Sequence, residues 1–286
     1  MKTRKNFLLV CVMCVFSAMA VYADPAGDML VKAAQQMDEV ALRQALGSWA
    51  NVNYTFNERT ALMEACSNQW IIGVRILVAD GKANPSYRNM LGQTALMFAV
   101  ATNRDTAIAK FLIERGANVN DKDNQNKTVL MYAVEQNQAP EVIAFLLDAG
   151  GANINATNSR REDALILAAK NRNWSAVDAL LRISGINISQ ADVDGKTAFI
   201  YACENEDTNM MAALVRKGFD VVKQDANGIP PLLYLIQHKM SYTAIEYLVR
   251  NTNALNSRDR NGRDAKWYAD RFEGDTRLRR LLESGR

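Results

Sequence analysis

The stretch from Thr94 to Val100 reads TALMFAV, and the chain holds near copies of it: TALMEAC from Thr60, TVLMYAV from Thr128 and TAFIYAC from Thr197. With the threonine of each copy as an anchor, equivalent positions fall at Asp28, Thr60, Thr94, Thr128, Asp163, Thr197, Pro230 and Asp264, in steps of 32, 34, 34, 35, 34, 33 and 34 residues. So regular a period predicts a solenoid, in which each unit packs only on its neighbours.

One unit explains the rest. A hydroxyl at Thr94 is placed to cap exposed amides at a helix start, and ALMFAVAT is a short apolar helix. Asn103-Arg104-Asp105 then breaks it. In TAIAKFLIERG the apolar residues Ile108, Phe111 and Leu112 share one face before Gly116 ends a second helix. Asp163 and Asp264 replace threonine with another good cap, and Pro140 opens a second helix where its missing amide costs nothing. The polar stretches GANVNDKDNQN from Gly116, GANINATNSRR from Gly151 and GINISQADVDGK from Gly185 read as hairpin-like loops.

These motifs resemble the ankyrin-repeat family, whose unit of about 33 residues opens its first helix with Thr-Pro-Leu-His-x-Ala and ends in Gly-Ala-Asp-Val-Asn. The openings at Thr60, Thr94, Thr128 and Thr197 and the endings GANVN and GANIN carry the likeness. The proline survives at Pro231, and the histidine of the opening is absent throughout. The resemblance implies an all-α fold, an ankyrin-repeat solenoid of seven to eight helix-turn-helix units joined by hairpin-like loops, with DMLVKA from Asp28 and DAKWYA from Asp264 as looser end caps.

Ahead of the repeats, Lys2, Arg4 and Lys5 precede an apolar run from Phe7 to about Val21, with small or apolar residues at Val21 and Ala23. This is the pattern of a secretory signal peptide over residues 1–23, leaving 24–286 as a single solenoid. The run is shorter than the roughly 20 residues a spanning helix needs, and no later segment is apolar enough to cross a bilayer. An exported protein is therefore expected, periplasmic or alternatively secreted. Without the signal's three cations the chain has 31 basic and 31 acidic residues, a balance that argues against nucleic acid as partner.

Candidate chemistry reduces to packing. Met63, Met97 and Met131 occupy the family's histidine position; a soft-metal ladder is conceivable, but Ile166, Ile200 and Leu233 fill the same position and adjacent helices stand about 8–10 Å apart. Cys66 and Cys203 share one register four units apart, so about 30–40 Å separates them, whereas a disulfide needs alpha carbons within about 7 Å. His238 is the sole histidine, with no nucleophile motif beside it. DVDGKT from Asp192 lacks the glycine of a phosphate loop and the acidic ligands of a calcium loop. Asn53, Asn126, Asn155, Asn173 and Asn187 open Asn-x-Ser/Thr triplets, three of which are simply the closing asparagine of a repeat.

The expected function is a non-catalytic scaffold for another protein, with no cofactor, no metal, no nucleic acid and no membrane span after signal cleavage, working as a monomer. A narrower alternative is a protective or inhibitory partner of one exported enzyme or toxin; metal handling through the methionines is a third. Carried over from the family, the binding positions are the loop tips and the ends of the first helices: Tyr54, Phe56, Tyr87, Arg88, Met90, Leu91 and Asn124 at tips, and Ser67, Asn68, Ala101, Thr102 and Glu135 on helices. Large apolar side chains at the N-terminal tips, where Asp, Asn or Gly would suit a solvated turn, single out Tyr54, Phe56, Tyr87 and Met90 as anchors.

Overall fold

A threonine or aspartate stands at the start of most first helices, and its oxygen does what the spacing predicts. Thr60, Thr128, Asp163 and Thr197 accept hydrogen bonds from the amides of Met63, Met131, Ile166 and Ile200, and Asp264 accepts one from Trp267. Each satisfies an amide that the first helical turn leaves without an internal partner.

The computed structural model describes residues 24–102, 106–136, 140–148, 150–240, 242–272 and 276–284. The expected signal, residues 1–23, and the Asn103-Arg104-Asp105 break lie outside them. Eight helix pairs follow one another among the described residues: α1 (Pro25–Gln36) and α2 (Glu39–Gly47); α3 (Ala61–Ser67) and α4 (Ile71–Ala79); α5 (Ala95–Thr102) and α6 (Ala107–Glu114); α7 (Val129–Glu135) and α8 (Pro140–Asp148); α9 (Ala164–Lys170) and α10 (Trp174–Arg182); α11 (Ala198–Glu204) and α12 (Thr208–Arg216); α13 (Pro231–Gln237) and α14 (Tyr242–Asn251); α15 (Ala265–Phe272) and α16 (Thr276–Ser284). One short hairpin, β1 (Thr55–Phe56) with β2 (Arg59–Thr60), pairs antiparallel, and single bridges join Lys122 to Thr128 and Ala191 to Thr197. This is an ankyrin-repeat solenoid in its element order. None of the described helices is long and apolar enough to cross a membrane.

Two compact units divide the chain. The first holds the three pairs up to Ala117; the second holds the five pairs from Asn118 onward. Within each unit first helices pack on first helices and second on second, as α3 does on α1 and α5 and as α9 does on α7 and α11. The residues that recur in sequence make these contacts. Leu62, Leu96, Leu130, Leu165 and Leu232 are buried, and so are Ala65, Ala99, Ala133, Ala168 and Ala202, where a larger side chain would hold neighbouring helices apart. Met63, Met97 and Met131 are equally buried, filling apolar gaps as flexible side chains do. Cys66 and Cys203 are free and buried, and burial pushes both thiols far above the ordinary range.

Three anchors depart from the expectation. At the first, the helix begins a turn earlier: Asp24 caps α1 by accepting from Gly27, Pro25 fills the first helical position, and Asp28 lies inside the helix. At the third, the Thr94 hydroxyl makes no hydrogen bond. The Met97 sulfur lies 3.5 Å from the Thr94 amide, and the Met97 amide goes to the Thr94 carbonyl. Pro230 likewise offers no cap, and Pro231 opens α13 instead.

A closing asparagine ties each turn to the next. Asn53 accepts from the Asn84 amide, Asn120 from Asn153 and Asn155 from Asn187, at 3.2, 2.8 and 2.9 Å, while Asn120 and Asn155 donate to the carbonyls of Gly151 and Gly185. Composition marks these residues only as turn formers; in the structure they join consecutive repeats.

Leu96→Ala in α5 is expected to cost about 2–5 kcal/mol, the range for large-to-small core changes. Leu30→Ala in α1, which has a neighbouring repeat on one side only, is expected to cost less, and denaturant melts of both variants would show the difference. Equal losses would contradict linear stacking in the first unit.

Candidate functional site

Six loop tips, from the third repeat onward, are organised by one side chain five residues before the anchor. Asn89, Asp123, Asn158, Asp192, Asp225 and Asp259 stand there, and in every case one oxygen accepts from the amides two and four residues on. This local bonding makes a tight turn out of a chain that would otherwise leave those amides unpaired. In three repeats a tyrosine from the following helix donates to the same group: Tyr132 to Asp123 at 2.8 Å, Tyr201 to Asp192 at 2.7 Å and Tyr268 to Asp259 at 3.0 Å. DVDGKT from Asp192 is such a turn. Gly195 within it has a φ of 78°, and a Cβ there would come within 2.1 Å of the Ala226 amide nitrogen of the next tip.

Beside the tips, in the second unit, runs a register of charge. The residue just before the anchor and the residue seven after it form an ion pair in three successive repeats, with the signs alternating: Lys127 with Glu135, Glu162 with Lys170, and Lys196 with Glu204. Arg160 adds to Glu162 at 3.7 Å and pairs with Asp194 at 3.0 Å. Burial pushes the Glu162 carboxyl up, but the Asn158 amide, Lys170 and Arg160 outweigh it and hold the group below the usual range. Burial pulls the Lys196 ammonium down, and Glu204 more than restores it. Tyr234 also donates to Glu204. Lys127, Glu135, Arg160, Glu162 and Lys170 line a groove of about 510 Å³ between two tips and helices α7 and α9.

The candidate residues read from the sequence take varied roles. In the first unit, Tyr54 packs against Gly27 of α1, and its phenol, hydrogen-bonded to Asp28, is held above its usual pKa. Phe56 lies under the Lys32 ammonium, 5.7 Å from the ring centre. Both therefore turn toward the first helix. Asn68 donates to the carbonyls of Ala34 and Gln35 and so finishes that helix; Ser67 lies 3.5 Å from Arg59. The Gln69 amide reaches Thr102 at 2.5 Å. Ala101 and Tyr87 are half-buried, Arg88 is exposed and bonded to the Gly92 carbonyl, and Met90 and Leu91 are 77% and 54% exposed. Asn124 and Glu135 belong to the second unit, Asn124 exposed and Glu135 paired with Lys127. The tip-organising Asp and Asn residues and the alternating ion pairs were not anticipated, although both recur at the period of the repeat.

His238 is exposed and stacked on Tyr234, ring centres 4.1 Å apart, with its Nδ1 2.9 Å from the Tyr234 carbonyl oxygen. Among the described residues no group of three His, Cys, Asp or Glu side chains could hold a metal ion.

The family model for ankyrin repeats (3 copies) matches residues 30–123, 81–158, 130–225 and 165–259. The chain belongs to the ankyrin-repeat family. Among solved structures, the ankyrin-repeat domain of Bcl-3, described as a unique member of the IkappaB protein family, is similar in fold with a TM-score of 0.69. The alignment is 23% identical and covers 80% of this chain and 100% of that one. No curated protein sequence matches the chain. An ankyrin-repeat array is typically a non-catalytic module that mediates protein–protein interaction.

Asp163 supplies a pH signature. Burial raises its carboxyl to about 6, against the opposing amides of Ile166 and Leu165. The folded chain thus binds a proton there more tightly than the unfolded one, whose aspartate titrates near about 3.9. The contribution of this group is most favourable below the unfolded value and is lost as pH rises through about 6. Asp163→Asn keeps an N-cap of similar quality and is expected to flatten the stability profile between pH 4 and 7 in denaturant melts. An unchanged slope would show that Asp163 does not titrate in that window.

Proposed function

We propose that the chain is an exported, non-catalytic scaffold that binds another protein, working in the periplasm as a monomer. One observation carries the reading of a contact surface. At the tip of the third repeat Met90 and Leu91 stand 77% and 54% exposed, where the later repeats carry Asn124-Gln125, Ser159-Arg160, Val193-Asp194, Ala226-Asn227 and Arg260-Asn261, so that two adjacent large apolar side chains occur at this tip and a single one, Val193, at 46% exposure, at one other. Exposed Met and Leu side by side lose little by leaving water and gain by entering a partner's pocket. Arg88 and Tyr87 flank them, and Ala101 and Thr102 end the helix that follows.

Export is supported by the basic start, the apolar run and the small residue at Ala23. The first helix carries its own cap at Asp24 and its proline at Pro25, immediately after the proposed cleavage point. Tyr54 and Phe56 contribute by bracing the tip region against α1 rather than by meeting the partner.

Affinity capture from an extracytoplasmic fraction with residues 24–286 tests the proposal. A retained protein should be lost when Met90 and Leu91 are both changed to Ser, while the melting curve stays within about 1 kcal/mol of the parent, as surface substitutions do. Retention of a single exported enzyme would narrow the scaffold to a dedicated protective partner. Undiminished capture by the double variant would move the contact away from this tip.

A further inference from the structure

In the second unit the residue before each anchor and the residue seven after it neutralise one another in three repeats, and then the rule stops. At the seventh repeat the two positions hold Ile229 and Gln237, which carry no charge, and at the eighth they hold Arg263 and Arg271, which carry the same charge. A hollow of about 420 Å³ lies between them, lined by these four residues with Trp267 and Tyr268.

The two arginines differ in their surroundings. Arg263 is engaged: its Nε lies 2.6 Å from Asp259, and its guanidinium stacks 4.3 Å from the centre of the Trp267 ring. The Arg271 guanidinium lies 5.3 Å from the centre of the same indole, and among the described residues no carboxylate pairs with it. Asp259 is buried and already takes the Arg263 guanidinium, the Tyr268 hydroxyl and two backbone amides, so it has nothing left for a second cation. Asp270, next in sequence to Arg271, pairs with Arg279. The hollow therefore presents a guanidinium beside an indole, a neutral amide and an aliphatic wall.

We infer that this hollow receives a carboxylate side chain from an acidic segment of the partner protein, bound by the Arg271 guanidinium with Gln237 and Trp267 as its flanks. A planar guanidinium suits a carboxylate by forming two parallel hydrogen bonds, and among the described residues no carboxylate already occupies that of Arg271. The guanidinium favours a carboxylate by charge, Ile229 and the indole offer apolar contact to neighbouring side chains of a protein segment, and residues 24–286 carry 31 basic and 31 acidic residues rather than the basic excess of a nucleic-acid binder. The inference rests on the scaffold reading above but names a different surface.

The test uses residues 24–286 and a fluorescein-labelled peptide of alternating glutamate and glycine, read by anisotropy at low salt. Arg271→Gln is expected to weaken binding about tenfold or more, the worth of a hydrogen bond to a charged group, with an unchanged melting curve. Lys266→Gln removes a cation from the same helix that lines a separate hollow with Arg279 and Glu283, and is expected to change binding by less than about twofold. Equal losses in the two variants, or no loss with Arg271→Gln, would overturn the assignment. So would tighter, Arg271-dependent binding of a mixed-sequence oligonucleotide or of phosphatidylserine vesicles, since the occupant would then not be a protein carboxylate. Capture assays with the Met90 and Leu91 double variant separate the two readings: capture lost there while Arg271→Gln leaves the peptide bound refutes this inference alone, and Arg271-dependent peptide binding by a chain that captures no protein refutes the scaffold alone.

Discussion

A loop tip that turns back within a few residues leaves backbone amides pointing inward, and such groups must find acceptors. Here, from the third repeat onward, one oxygen on the Asp or Asn five residues before the anchor takes two of them. Everything on the inner face depends on that. The turn fixes where the preceding residue, such as Lys127 or Lys196, is presented, and the tyrosine that joins the same carboxylate fixes the first helix against the tip. Where the group is buried and fully bonded, as at Asp259, burial pushes the carboxyl up but the Arg263 amide and guanidinium and the Tyr268 hydroxyl hold it below the ordinary range. The tip is thus a rigid platform rather than a solvated loop.

Rigid tips make the alternating ion pairs possible. Lys127–Glu135, Glu162–Lys170 and Lys196–Glu204 each bridge a tip and the end of a helix, and alternation of sign keeps like charges from facing one another on adjacent repeats. Such partly exposed pairs contribute little to stability individually. Their larger effect is on recognition, because a face whose charges are internally matched offers a partner no net attraction, and a break in the matching becomes a feature. The exposed apolar side chains Met90 and Leu91 in the first unit and the like-charged Arg263 and Arg271 in the second are departures from the local rule, and sites on repeat scaffolds are made by departures of this kind.

How much of this could be read beforehand differs by element. The period, the helix pairs, the capping anchors at Thr60, Thr128, Asp163, Thr197 and Asp264, the free cysteines and the packed methionines were all legible, because each follows from a local rule applied at a fixed spacing. Asp28 was misread because a helix start is set by its cap and its first-turn proline, and Asp24 with Pro25 outcompeted it. Thr94 matched the pattern in type but not in bond, since a Met97 sulfur came to lie against its amide. Among the candidate contacts, the size and polarity of Tyr54 and Phe56 are visible in the sequence, whereas their contacts with Gly27, Asp28 and Lys32 of the first helix are not.

Sequence alone determined the family and the succession of helix pairs, since a 32- to 35-residue period with capped apolar helices permits few other folds. Tertiary structure alone decided which side chains meet. Whether Asn68 faces a partner or finishes the helix before it, whether Glu135 is free or bound to Lys127, and whether Arg271 has a carboxylate within reach are questions about residues some 8 to 34 positions apart. The physical reason is that hydrogen bonds and ion pairs act over about 3 Å, so that position in space, and not position in the repeat, settles what each polar group does.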